Sequence, residues 1–277
     1  MTDRVERLTA DALPECLALA VDRDWPPESD KWELLFDVGS VFGVRDGAGD
    51  LVGTAVVVRF DPGLAALGMV LVARRYGRRG LGRRLVTHAL ADADVAVTLL
   101  YATAEGRPLY EALGFATVGT LHTHEGVPVA GEAAEAAAGS RPLQPSDTRT
   151  VLDLDTIASG ADRAALLGRL AAAERLRVTE RDGRVTGYAG VWCGARRVLI
   201  GPLVAETVGD ARALVADILR SADRPVRLDL DGEQAELREW ATGQGLPSRR
   251  ESPLMVLGGP PPGDRRAFFA PVFQALG

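Results

Sequence analysis

The chain has 277 residues, a quarter of them charged and 47% hydrophobic, with a formal net charge of −6. That balance belongs to a folded chain, not a disordered one, and its length leaves room for two ordinary domains. The acidic sign argues against a nucleic-acid partner, which usually needs a basic domain.

Lys31 is the single lysine, so arginine carries nearly all the positive charge. Cys16 and Cys193 are too few for a disulfide framework and lack metal-ligand spacing, which favours small buried hydrophobes. His88, His122 and His124 do not complete a zinc set, so no metal is expected. No apolar run reaches about eighteen residues, and the acidic, amphipathic start MTDRVERLTADALPEC is not a signal peptide. The expectation is a cytoplasmic protein without a membrane partner.

In chain order, apolar spacing predicts a helix over 10–22, then a loop at DWPPESD (24–30) and a short helix over 31–38. SVFGVRD (40–46) and LVGTAVVVRF (51–60) predict strands joined by the turn DGAGD, hence an antiparallel hairpin. LAALGMVLVA (64–73) is a third strand, GLGRRLVTHALAD (80–92) a helix and VAVTLLYAT (95–103) a further strand. Two strands flanking a helix predict a right-handed parallel crossover. RPLYEALGF (107–115) predicts a helix that stops at Gly114, and ATVGTLHTH (116–124) a last strand.

AGEAAEAAAGSRP (130–142) reads as a linker or helical spacer. Beyond it the pattern repeats. Strands at 176–183, 184–193 and 196–205, a helix at 210–222, a strand at 226–230, a helix at 235–246 and a strand at 252–259 follow the first half element by element. Gly187 answers to Gly53. This duplication predicts two tandem α/β domains, 1–130 and 143–277. Each is a mixed, mostly antiparallel sheet with one parallel β-α-β crossover and flanking helices. The apolar tail FFAPVFQALG (268–277) is expected to dock, with the first domain as the candidate surface.

RRYGRRGLGRRL (74–85) packs six arginines and three glycines between a strand and a helix. A glycine-rich turn there presents backbone N–H groups to an anion at the positive end of the helix dipole. A Walker loop is excluded, since no Gly-Lys-Ser/Thr follows. A dinucleotide fingerprint is excluded by the glycine order and by the two antiparallel strands that precede it.

VLVARRYGRRGLGRRLV (70–86), followed by RPLYEALGF (107–115), resembles the GNAT (Gcn5-related) N-acetyltransferase family over roughly residues 1–126. The resemblance implies an acetyl-CoA pyrophosphate loop with consensus [QR]-x-x-G-x-[GA], whose G-x-G is filled by Gly80, Leu81 and Gly82. The Gln/Arg position falls on Gly77 with Arg78 beside it, a swapped pair. It implies contacts to acetyl-CoA from Val70, Leu71, Val72, Gly77, Arg78, Arg79, Gly80, Leu81, Gly82, Arg83 and Tyr110.

The implied chemistry is acyl transfer from a thioester to the amine, or hydrazine-type, nitrogen of a small molecule. Backbone N–H groups near Met69–Val72 would face the oxyanion. Tyr110, at the family's position four residues before Gly114, would protonate the leaving thiolate. Glu28, Glu33, Asp37, His122, His124 and Glu125 are candidate bases, with Glu33 and His122 placed first. Trp25, Glu28 and His124 are candidate acceptor contacts, and Trp25 could equally cap the core. Another acyl-CoA, a protein amine, or a CoA-sensing module without turnover are the alternatives.

In the second copy, Gly209 survives, Arg212 stands near the place of Gly80, Asp210 lies at the helix start and Ala241 replaces Tyr110. That copy is expected to be degenerate, walling the acceptor site or forming a homodimer surface. Pairs of this kind resemble some actinobacterial tandem acetyltransferases.

Overall fold

The computed structural model describes residues 4–129, 139–194 and 196–276. The chain divides into two compact units, one of Met1–Ala116 with Met255–Pro260 and Leu276, the other of Thr117–Leu254 with Pro261–Ala275 and Gly277.

In the first unit, β1 (Val5–Arg7), α1 (Leu13–Asp22), α2 (Ser29–Val38), β2 (Ser40–Arg45), β3 (Leu51–Phe60), β4 (Leu64–Val72), α3 (Leu81–Ala93), β5 (Val97–Tyr101) and α4 (Arg107–Glu111) follow in order. β1 to β4 pair antiparallel in sequence, and β4 pairs β5 in parallel. Nine of the ten β3 residues are buried, because α1, α2 and α3 all pack against it. That explains why β3 reads as an almost unbroken apolar run where a half-exposed strand would alternate. Leu85 and Ala89 of α3 are fully buried. A leucine so placed contributes about 1.5–3 kcal/mol through burial.

The second unit contains β6 (Ala116–Gly126), β7 (Ser140–Pro142), α5 (Thr148–Ser159), α6 (Ala164–Ala172), β8 (Leu176–Arg181), β9 (Arg184–Cys193), β10 (Val198–Ala205), α7 (Val208–Ser221), β11 (Val226–Asp231), α8 (Ala235–Gly243), most of β12 (Ser248–Leu257) and β13 (Phe268–Ala270). Its strand order is β12-β6-β11-β10-β9-β8-β7, with β13 on β10. The core gathers Leu214 and Ile218 of α7, Leu228 and Leu230 of β11, and Leu237 of α8.

Several expectations are corrected. The strand over 116–124 was expected to close the first sheet, but β6 pairs antiparallel with β11, His122 opposite Leu230 and His124 opposite Leu228. Conversely, the last residues of β12 belong with the first unit, beside β5. Gly258 at φ 95° lies so close to Ala96 that a β-carbon there would sit 1.9 Å from the Ala96 carbonyl oxygen. Of the spacer at 130–142, residues 130–138 lie outside the described residues, while Ser140–Pro142 form β7 against β8. The tail divides: β13 pairs with β10 of the second unit, while Leu276 belongs with the first. Cys193 is exposed, whereas Cys16 is buried as expected.

Candidate active site

In the first unit the chain leaves β4 through a tight 3-10 turn, Arg74–Tyr76, and enters α3 at Gly80. Gly80 has φ 78°, a left-handed conformation that side chains rarely adopt. As the residue flanking the helix it offers no side-chain cap, and the first turn of α3 holds no acid. The leading N–H groups, including those of Leu81, Gly82 and Arg83, therefore lack intrahelical acceptors and point out of the positive end of a thirteen-residue helix. Leu81 is buried and anchors this start, and a β-carbon on Gly82 would come within 3.3 Å of the Leu109 side chain.

The swapped pair acquires a physical meaning here. Gly77 has φ −56°, which any residue adopts, while Arg78 has φ 60°. Of the two residues of the pair, the left-handed step thus falls on the arginine.

Five of the six arginines divide by task. The Arg74 backbone N–H donates to the Asp22 carboxylate at 2.8 Å, and its guanidinium donates to the Asp22 carbonyl and pairs with Asp24. Arg75 pairs with Asp46 at 3.2 Å and Asp50 at 3.0 Å in the β2–β3 turn. The Tyr76 hydroxyl donates to Asp46 at 2.9 Å. Desolvation pushes the Asp46 carboxyl up, but the bonds from Tyr76, Arg75 and the Ala48 and Asp50 amides outweigh it and hold the group below its ordinary value. Arg74 and Arg75 therefore brace the loop. Arg79 lies over the Tyr76 ring, 5.1 Å from its centroid, and Arg83 donates to the Ala112 carbonyl at 3.3 Å. Arg78 and Arg79 are exposed beside the helix start.

β4 and β5 are in register only over Leu64–Ala66 and Val97–Leu99. Beyond that, the edge of β4 carrying Val70, Leu71 and Val72 is left without β5. The same stretch contains a bulge: between Thr54 and Val56 of β3, β4 carries one residue too many, and Met69 has φ 48°. The buried Thr54 hydroxyl donates to the Met69 carbonyl at 2.9 Å. Sequence reading pointed to Met69–Val72 but missed Thr54, which resembled an ordinary strand residue; a lone hydroxyl in an apolar run was its only signal.

Tyr110 of α4 is buried and stacks edge-on against Phe115, with centroids 5.8 Å apart. Burial pushes its hydroxyl up to about 12, so it stays protonated at neutral pH. Gly114, at φ 92°, ends this turn, and the Phe115 N–H closes back on the Tyr110 carbonyl at 3.0 Å.

Trp25 and Glu28 lie in the α1–α2 connection, Trp25 with 37% of its surface exposed and Glu28 paired with Lys31 at 2.5 Å. The connection is tied to the glycine loop through Arg74 and to the β5–α4 loop by Arg23–Glu105 at 2.6 Å. Glu33 is exposed on α2, and among the described residues it has no ion-pair partner.

His122 and His124 belong to the other unit and are buried. Burial, reinforced by Arg238 and opposed by Glu251, holds His122 below the ordinary imidazole value. Burial does the same to His124, whose Nδ1 lies 2.8 Å from the Leu246 carbonyl.

The second unit repeats the frame with its openings filled. Thr207 caps α7, accepting the Asp210 N–H at 3.1 Å, and the Asp210 carboxylate accepts from the hydroxyls of Thr207 at 2.6 Å and Thr186 at 3.0 Å. This helix start thus carries its own anion. β10 has its bulge at Gly201–Pro202, where Pro202 offers no N–H. The edge that β11 leaves is taken by β13, Leu203 opposite Ala270. Gln234 Nε2 donates to the carbonyls of Arg265, Arg266 and Phe268, at 3.0, 3.3 and 3.3 Å.

Comparison with known proteins agrees with this geometry. A sequence model of the acetyltransferase (GNAT) family matches residues 5–115, and one of an acetyltransferase (GNAT) domain matches 151–270. The Bacillus subtilis protein named "Uncharacterized N-acetyltransferase YitH" is 26% identical over all of this chain and 99% of its own length. A Pyrococcus horikoshii structure assigned as an acetyltransferase superposes with TM-score 0.80 at 19% identity, over 99% of this chain and 95% of its own. A tandem GNAT protein from the clavulanic acid biosynthesis pathway gives TM-score 0.65 at 16% identity, over 93% of this chain and 99% of its own.

Proposed function

The chain belongs to the GNAT acetyltransferase family in both halves, and from that premise we propose that the first unit transfers the acetyl group of acetyl-CoA to an amine nitrogen of a small molecule. The observation that carries this is the uncapped, acid-free start of α3 at Gly80. Its counterpart in α7 is capped by Thr207 and filled by Asp210. One chain therefore offers an open and a closed version of the same helix start, and the open one fits a pyrophosphate.

Acetyl-CoA supplies the activated acetyl thioester. The backbone N–H groups of residues 78–82 would hold its pyrophosphate, since the Gly77 N–H donates to the Arg74 carbonyl at 3.2 Å, with Arg78, Arg79 and Arg83 adding charge-assisted bonds. Val70, Leu71 and Val72 offer the open edge of β4 to its acyl arm. Tyr110, protonated and half enclosed by Phe115, donates the proton that the departing thiolate needs. Trp25 and Glu28 line the acceptor side, and the exposed Glu33 takes the proton from the amine. His122 is a poorer base, because burial, reinforced by Arg238, holds its imidazole below the ordinary value.

Titration calorimetry with acetyl-CoA tests the reading. The expected stoichiometry is one per chain, falling to none in Gly80→Glu and staying at one in Gly209→Glu. A thiol-release assay against a panel of amines then separates turnover from mere binding. No heat with any acyl-CoA would end the assignment, and binding without thiol release would mark the chain as a CoA-binding module.

A further inference from the structure

The bulge in β4 is held by one side chain. Met69 sits at φ 48°, and its carbonyl accepts the Thr54 hydroxyl at 2.9 Å in a fully buried setting. A peptide unit is planar and trans, so its C=O and N–H point in opposite directions. The carbonyl belongs to Met69 and the N–H to Val70. With the carbonyl turned to Thr54 on β3, the Val70 N–H is turned away from it, toward the side of β4 that β5 has left. Without that latch, Met69 would relax toward an extended conformation, and the peptide would rotate with it.

We propose that Thr54 is a positioning residue that aims the Val70 N–H at the acyl carbonyl oxygen of the bound thioester; this rests on the reading of the first unit as the acetyl-CoA site. Thr54 touches no reacting atom. It fixes the direction of a dipole before the reaction begins, which is what makes such a donor effective.

The second copy supplies an internal contrast. Matching Gly53 opposite Val72 to Gly187 opposite Ala205 places Tyr188 where Thr54 stands and Leu203 where Val70 stands. The Tyr188 hydroxyl donates to the Asp155 carboxylate instead of to β10. Leu203 is covered by Ala270 of β13. The latch is present where the strand edge is open, and it is missing where the chain fills that edge itself.

The experiment compares acetyl-CoA with free CoA by calorimetry in the wild type, Thr54→Val and Thr54→Ser. The two ligands differ only by the acetyl group, so their affinity ratio reports the contact at that carbonyl. The wild type is expected to prefer acetyl-CoA several-fold. Thr54→Val should bring the ratio to about one with CoA affinity unchanged, and Thr54→Ser should restore it. Where an amine substrate is in hand, kcat in Thr54→Val falls by about tenfold or more while KM for acetyl-CoA rises by no more than the several-fold loss of affinity, since a misdirected donor loses part of the 10²–10³-fold effect of a missing one. Thr54→Ala reads the same ratio should Thr54→Val not fold. A wild-type ratio retained in Thr54→Val, or a serine variant as impaired as the valine, overturns the proposal. Failure of the wild type to bind either ligand overturns instead the assignment on which it rests.

Discussion

At the scale of single residues, backbone conformation separates groups that composition makes look alike. Gly77 and Arg78 are neighbours in a run of glycines and arginines, but only Arg78 occupies the left-handed region. That conformation costs a side chain roughly 1–2 kcal/mol, while glycine loses about 0.4–1 kcal/mol through its freer unfolded state. Arg78→Gly is therefore expected to stabilise the first unit by about 0.5–1 kcal/mol, read as a higher denaturant midpoint. An unchanged or lower midpoint would remove the strain argument. Gly77, whose added β-carbon would meet only the Arg74 carbonyl at 3.4 Å, should accept a side chain. Tyr110 shows the reverse case, a residue whose sequence offset from Gly114 and Phe115 already pointed to it and whose burial adds a reason. Tyr110→Phe keeps the ring against Phe115 and loses only the hydroxyl. It is expected to lower kcat by about 10²-fold with Tm preserved; full activity would free Tyr110 of that role.

At the scale of elements, β6 carries the sharpest difference between reading and structure. Its alternation was legible, and with a period of two it sets His122 and His124 on one face. Their surroundings were not legible, because a strand's partner is set by long-range pairing that no local pattern encodes. Opposite β11 both imidazoles are buried and held below their ordinary value. His124 already spends Nδ1 on Leu246, and its Nε2 has no hydrogen-bond partner among the described residues. Charging that ring would bury an uncompensated N–H. The unfolded chain binds these protons near pH 6.5, and the folded chain does so only at lower pH. The stability they confer is complete above about pH 6.5 and is lost as pH falls through the lowered folded values, at up to about 1.4 kcal/mol per pH unit for each group. Thermal melts between neutral and mildly acidic pH should show this loss, and His124→Gln should flatten it. An unchanged slope would mean that His124 does not titrate with unfolding.

At the scale of the whole molecule, the duplication was readable because each copy repeats the same local signals in the same order. Strand runs such as β3 and β9 matched their predicted limits, since both are long apolar stretches bounded by turns. α5 and α6 were not predicted, their alanine-, aspartate- and leucine-rich sequence marking no motif of the first copy. By itself the sequence determined the two-fold repeat, the strand-loop-helix that presents the glycines, and the place of Tyr110, all of which depend on residues close together along the chain. Only the tertiary structure decided that β6 joins the second sheet and that the end of β12 joins the first. It also decided that β13 covers the open edge of β10 and that Thr54 reaches the carbonyl of Met69 fifteen residues away. The physical reason is common to all of these: a strand edge and a buried hydroxyl are satisfied by whichever partner the fold brings near, and that partner leaves no mark in the local sequence.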